Sequence, residues 1–196
     1  MKRLFDIFFS LLGLIFSFPI FLIISFLIKI EDGGPVFFRG KRVGKGGKVF
    51  RIFKFRTMVR DAENLGGPST AADDERLTRI GRKLRRHNLD ELPQFIDVLR
   101  GKMSFVGPRP EVPQEVETYD EETKDIILSV RPGITDLATL ENIHEEEILK
   151  GSKDPHQAYR ELIKPKKLQL AKQYVKTRSF WLDIKIILKT VKSAVF

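Results

Sequence analysis

The chain has 196 residues, 35 basic against 26 acidic side chains, a net charge of +9 and no cysteine. That length holds one domain with a substantial core, and the missing thiols exclude a disulfide scaffold, a thiolate zinc site and a cysteine nucleophile. The basic excess points to an anionic partner: nucleic acid, a membrane surface or a phosphorylated substrate.

Twelve of the 16 phenylalanines fall within the first 55 positions, so the chain is not uniform. Ile7 to Ile28 are 22 consecutive positions without a charge, enough to cross a bilayer core. The run is too long for a signal peptide, and no small-residue cleavage site follows it. Ser17-Phe18-Pro19 lies at its middle, where proline removes a helix donor and favours a kink. Each half is only about 16 Å long. Two readings stay open on these residues: a kinked spanning helix, or a bent helix that enters and leaves by one face. Flanking Lys2, Arg3, Lys29, Arg39, Lys41 and Arg42 put the rest of the chain in the cytoplasm in either case.

Beyond the run, charge alternates in blocks. Residues 39–60 carry nine bases and no acid, and 61–75 five acids and no base around the turn Gly66-Gly67-Pro68-Ser69. Residues 76–102 are basic, 111–147 hold twelve acids against two bases, and 148–196 twelve bases against three acids. Basic residues beside an apolar anchor suit docking on an anionic leaflet. Val36–Arg39 and Val49–Arg56 read as strands of a short hairpin joined by Gly44-Lys45-Gly46-Gly47. Helices are expected at about 76–87, 92–100, 114–128, 155–175 and 180–194. In the last, Phe180, Trp181, Ile184, Ile187, Leu188, Val191 and Val195 recur at helical spacing beside Lys185, Lys189 and Lys192. That stripe suits a core-packed helix or an interfacial one. The fold class is therefore α+β and mainly helical.

Gly40 to Gly46 fails as a phosphate loop, because three residues separate Gly40 from Gly44 and no Ser or Thr follows the lysine. His87, His144 and His156 are scattered, form no metal-ligand pattern and are expected at the surface. Asp90 and Glu91 are more telling. Adjacent carboxylates before a proline suit a helix N-cap. Arg85 and Arg86 precede them, however, and Gly107-Pro108-Arg109-Pro110 follows. Carboxylates with arginine forks suit a site that binds Mg²⁺ and a diphosphate together. A carboxylate there can also serve as a nucleophile.

At these residues the chain resembles the small monotopic phosphoglycosyl transferases of the bacterial sugar transferase family. The matching blocks are Ser17-Phe18-Pro19, Phe53-Lys54-Phe55-Arg56-Thr57-Met58 and Leu89-Asp90-Glu91-Leu92-Pro93-Gln94. They continue with Asp97 to Pro110, Val130-Arg131-Pro132-Gly133-Ile134-Thr135 and Ser179 to Lys185, in family order over nearly the whole chain. The resemblance implies transfer of a sugar 1-phosphate from a nucleotide diphosphate sugar, usually a UDP-sugar, to polyprenyl phosphate. It makes Asp90 the nucleophile and Mg²⁺ ligand, with Glu91 completing the dyad. Arg85, Arg109, Lys54 and Arg131 become phosphate-binding residues. It also implies a re-entrant helix over 1–30, kinked at Ser17 and Pro19, and a membrane-associated catalytic domain over 31–196. The setting is the cytoplasmic face of a bacterial inner membrane. The implied partners are the nucleotide-sugar donor, polyprenyl phosphate, membrane lipids and a second copy in a homodimer, with no nucleic acid. One segment departs from the pattern. After Ile134-Thr135, where many relatives continue Gly-Leu-Ala-Gln and then Gly-Arg, this chain has Asp136-Leu137-Ala138-Thr139 and later Glu145-Glu146-Glu147. The resemblance therefore does not name the donor sugar. Outside it, a basic membrane-anchored protein without catalysis would explain the charge but leave Asp90, Glu91 and Arg109 unused.

Overall fold

A computed structural model describes residues 1–67, 69–141 and 145–195. Pro68 and His144 lie outside the described residues, as do Asn142, Ile143 and the side chain of Val195. The protein is mainly helical with three small two-stranded sheets. Helix α1 (Lys2–Asp32) is a single helical element with Pro19 inside it. Among the described residues it is the one helix long and apolar enough to cross a membrane.

The run that reads as uniformly apolar has two faces. Asp6, Ser10, Ser17, Ile24 and Ile28 are buried, at the spacing of one helical stripe. Gly13 lies on that stripe too, and a methyl added there would meet the Phe95 ring at 2.8 Å. Only a residue without a side chain lets the two elements approach so closely. Leu4, Phe8, Ile15, Phe16, Phe18, Ile23, Phe26 and Ile30 point away and are exposed. The buried hydroxyls are satisfied locally, Ser10 donating to Ile7 O at 3.0 Å and Ser17 to Gly13 O at 2.5 Å.

Strand β1 (Phe37–Phe38) pairs antiparallel with β4 (Lys54–Phe55), and β2 (Lys41–Val43) with β3 (Val49–Arg51). The expected hairpin thus exists, but it is broken at Ile52-Phe53, and Lys41–Val43 supplies a strand that the charge pattern hid. The turn between β2 and β3 holds Gly46 and Gly47 at φ +66° and +73°, the left-handed region open to glycine. Helix α2 (Arg79–Arg86) starts at Thr78, whose hydroxyl accepts from Gly81 N at 2.9 Å. It therefore begins three residues later than expected. Helix α3 (Gln94–Leu99) leads into β5 (Ser104–Val106).

The expected helix over 114–128 is two, α4 (Pro113–Glu117) and α5 (Glu121–Ile127). Asp120 caps the second by accepting from Thr123 N at 2.6 Å, and this cap divides them. Strand β6 (Gly133–Thr135) pairs parallel with β5, a long-range pairing invisible to local periodicity. Short helices α6 (Leu137–Leu140), α7 (Glu145–Ile148) and α8 (Pro155–Ala158) follow. A π-turn at Tyr159–Ile163 carries α8 into α9 (Lys164–Thr177). In α10 (Phe180–Val195), Asp183 and Ile186 face inward beside Tyr174 and Val106. Trp181, Leu188 and Val191 point out, so much of the expected stripe is an exposed apolar face rather than core.

Candidate active site

The site is assembled by short elements held at both ends. Strand β4 places Lys54 through its pairing with β1. Gly81 then lets α2 lie directly on the chain after β4, since an added Cβ would fall 1.9 Å from Thr57 O. The same contact brings Arg85 to Thr57, Nε donating to Oγ1 at 3.0 Å. Asn88 takes a left-handed conformation, φ 53°, which turns the chain into a 3-10 turn over Leu89–Glu91. Asparagine is among the few residues that accept this conformation readily. Leu89 packs against the Phe55 and Leu84 cluster, fixing the turn that carries both carboxylates. Asp90 is therefore not a helix N-cap: α3 begins only at Gln94, and Pro93 stands at its cap position.

The two carboxylates have different partners. Glu91 accepts from Lys54 Nζ at 2.6 Å and from the Arg109 guanidinium. Asp90, 5% exposed, has only Lys54 Nζ at 3.8 Å as an ion-pair partner among the described residues. Burial raises the Asp90 pKa above the ordinary aspartate value, Lys54 offsets part of this, and the Glu91 charge adds to it. Burial also opposes ionisation of Glu91, but Arg109 and Lys54 outweigh it and hold that carboxyl well below the usual range. Glu91 in turn holds Arg109 firmly protonated.

Arg109 comes from the loop after β5. Gly107 and Gly133 touch back to back, Gly107 N donating to Thr135 O at 3.1 Å and Gly133 N to Pro108 O at 3.0 Å. A Cβ on Gly133 would lie 2.1 Å from Gly107 N, so neither position has room for a side chain. Prolines on both sides of Arg109 fix its backbone further.

The structure thus brings Asp90, Glu91, Lys54 and Arg109 together. The Arg85 charge acts on Asp90 from the end of α2. Arg131 is placed elsewhere, its Nε donating at 2.9 Å to Gly101 O beyond the far end of α3. Ser17 and Pro19 lie inside α1, remote in sequence from every site residue. Sequence reasoning did not single out Thr57, Asn88 or the Gly107–Gly133 contact. Gly107-Pro108 and Pro132-Gly133, a glycine beside a proline in each block, were the available signal for that contact.

No group of three His, Asp or Glu side chains forms a metal cage among the described residues. A magnesium ion needs only one or two carboxylates when substrate phosphates complete its shell. Asp90, with no short hydrogen bond among the described residues, fits that donor set, whereas Glu91 is already occupied by two cations.

The profile of the bacterial sugar transferase family matches residues 1–196. The chain is 36% identical, over 98% of its length, to the UDP-N-acetylgalactosamine-undecaprenyl-phosphate N-acetylgalactosaminephosphotransferase of Aeromonas hydrophila. It is 37% identical, over 100% of its length, to the undecaprenyl-phosphate glucose phosphotransferase of Komagataeibacter xylinus. It covers 43% and 36% of those two relatives, less than half of each. The UDP-glucose:undecaprenyl-phosphate glucose-1-phosphate transferase of Caulobacter vibrioides is 36% identical over 98% of this chain and 68% of the relative.

Proposed function

This chain belongs to the bacterial sugar transferase family, and from that premise we propose that it transfers a sugar 1-phosphate from a UDP-sugar to polyprenyl phosphate. The observation that carries the reading is the asymmetry of the dyad. Glu91 is consumed by Lys54 and Arg109, so it fixes two cations where phosphates must sit. Among the described residues no short hydrogen bond reaches the buried Asp90 carboxylate, and its oxygens remain available for bonding to phosphorus or to Mg²⁺. An Asp90 oxygen attacks the sugar-linked phosphorus, and the bond to the bridging oxygen breaks. UMP leaves with that electron pair. A polyprenyl phosphate oxygen then attacks the same phosphorus and releases the Asp90 carboxylate. Lys54, Arg85 and Arg109 oppose the phosphate charge throughout. Magnesium, held by Asp90, would supply further charge neutralisation.

The same catalytic domain holds the membrane helix. Both ends of α1 are fastened to the catalytic domain: Arg3 donates to Val98 O and Leu99 O at 2.6 and 2.9 Å, and Asp32 pairs with Arg56. A domain gripping both ends supports a helix that enters and leaves by one leaflet, the cytoplasmic one by its flanking charge. The relatives' names differ in sugar, so the donor is assigned only as a UDP-sugar. The test is release of UMP from a panel of UDP-sugars with undecaprenyl phosphate and Mg²⁺. Release is expected with at least one donor, and its absence across the panel refutes the reading.

A further inference from the structure

The first turn of α1 contacts more than the apolar core. Lys2 Nζ donates to Val106 O at 2.9 Å, to the Tyr174 hydroxyl at 3.0 Å and to Asp183 Oδ2 at 2.5 Å. The Tyr174 hydroxyl lies 2.7 Å from Asp183 Oδ1 and 3.2 Å from Val106 O, with one proton to give. Four segments therefore converge on one ammonium: α1, the end of β5, α9 and α10. Val106 is the last residue of β5 and stands three positions before Arg109.

The span between them has little slack. Gly107 is wedged against Gly133, Pro108 and Pro110 fix φ on either side of Arg109, and Glu111 O accepts from Val43 N at 2.9 Å. A shift of the Val106 carbonyl must therefore be passed along to the guanidinium. Asp6, one helical turn after Lys2, grips the same strand, with Oδ1 3.1 Å from Ser104 Oγ and 3.2 Å from Phe105 N. We infer that Lys2, supported by Tyr174 and Asp183, is a positioning residue for Arg109, so that seating of the membrane helix sets the place of a phosphate-binding group. The ordinary alternative is an ion pair that only joins α1 to α10. It accounts for Lys2 and Asp183, but not for the Lys2 ammonium also donating to the Val106 carbonyl, on the main chain that leads to Arg109.

This inference rests on the transferase reading, and its test separates the two. Full-length wild type, Lys2→Met, Lys2→Arg and Tyr174→Phe are compared in lipid nanodiscs. Two readouts are taken: donor KM by UMP release, and amide hydrogen exchange over residues 107–111. Lys2→Met is expected to raise donor KM and Gly107 exchange about tenfold or more, since displacing a positioned group by even ~1 Å can cost about a hundredfold. Lys2→Arg should restore most of both, and Tyr174→Phe should move both in the same direction by less. Combined with Arg109→Lys, Lys2→Met should add less than about a twofold effect on KM, because coupled residues are non-additive. Unchanged exchange in Lys2→Met, unchanged KM, or effects that multiply with Arg109→Lys would each overturn the inference. If wild type releases no UMP, the transferase reading fails, while the exchange result still decides whether Lys2 orders the loop. If Lys2→Met does not fold, Tyr174→Phe, which removes one hydroxyl and keeps the ring, decides by the same readouts.

Discussion

Asp32 and Arg56 meet through two parallel hydrogen bonds of 2.6 and 2.5 Å, tying the last residue of α1 to the residue that follows β4. Arg3 makes the matching attachment at the other end, on the last carbonyls of α3. A straight helix of 31 residues would be about 46 Å long, more than a bilayer core of about 30 Å. A spanning orientation would carry one of these attachments across the membrane. Single cysteines placed at Met1 and at Lys41, in a chain that has none of its own, should both resist an impermeant thiol reagent outside intact cells. Both should react in inverted vesicles. Labelling of the Met1 position from outside would refute the one-face topology.

Asp90→Asn should reduce turnover by at least about a thousandfold, because an amide is a poor nucleophile and a poor metal ligand. The fold should not suffer. The substitution removes a buried charge whose only ion-pair contact among the described residues is 3.8 Å long, so the thermal midpoint should stay or rise. Glu91→Gln should behave differently. It weakens charged hydrogen bonds to Lys54 and Arg109, each worth about 1.5–3 kcal/mol, and should lower the midpoint as well as the rate. Equal melting losses in the two variants would contradict the division of roles.

The pH dependence follows from the opposed shifts. Asp90 titrates above its ordinary 3.8, while Glu91 stays ionised far below it. As pH falls, Asp90 is the dyad member that takes a proton, and kcat/KM for the donor should fall at a pH above 3.8. The stability sign is the reverse. The folded state binds that proton more tightly than the unfolded chain, so protonation of Asp90 favours folding as pH drops through its raised pKa. Glu91, with a depressed pKa, gives its full stabilisation above its unfolded value and loses it progressively as pH falls from there through its folded pKa. A midpoint of kcat/KM at or below 3.8 would exclude Asp90 as the titrating nucleophile.

Kinetic order provides a separate check. A covalent Asp90 intermediate requires UMP to leave before polyprenyl phosphate reacts, giving parallel double-reciprocal lines. Lys54 and Arg109 would serve the leaving group first and the acceptor second, which spares one small site from holding both sets of phosphates. Sugar phosphate labelled in the phosphorus should remain on the protein when acceptor is withheld. Intersecting lines with no trapped adduct would leave Asp90 as a ligand and not a nucleophile.

Gly133→Ala should be among the most damaging single-methyl changes. Its Cβ would meet Gly107 N at 2.1 Å and Gly107 O at 2.6 Å, both backbone atoms that cannot rotate aside. Overpacking of this kind typically costs about 1–3 kcal/mol, and here it should also displace Arg109 and raise donor KM. Normal KM and normal melting together would show that the β5–β6 contact is looser than described.

The carboxylate pair, the arginine beside it and the lysine on the strand were legible because charge stands out against local composition and the motif blocks are specific. The order of the helices was legible for the same local reason. What could not be read depends on partners distant in sequence. Thr57 matters because Gly81 lets α2 touch it. Strand β6 exists because β5, some thirty residues earlier, is there to pair with it. Arg131 is expected beside the phosphates only from its block, and its hydrogen bond to Gly101 O is one that no periodicity reveals. The polar stripe Asp6, Ser10 and Ser17 was diluted among so many phenylalanines that only packing brings it out.

That stripe bears on engineering. A helix that only tethers its domain can be exchanged for any hydrophobic segment of suitable length, and the domain can be cut free as a soluble enzyme. Here the Phe95 ring rests on Gly13, Ser104 holds Asp6, and Leu84 and Phe55 share a cluster with Ile24 and Ile28. The anchor is not modular. A generic leucine-rich replacement would offer bulk where a glycine is needed and methyls where a carboxylate is bonded, and truncation would leave an open apolar trough along α3 and β4.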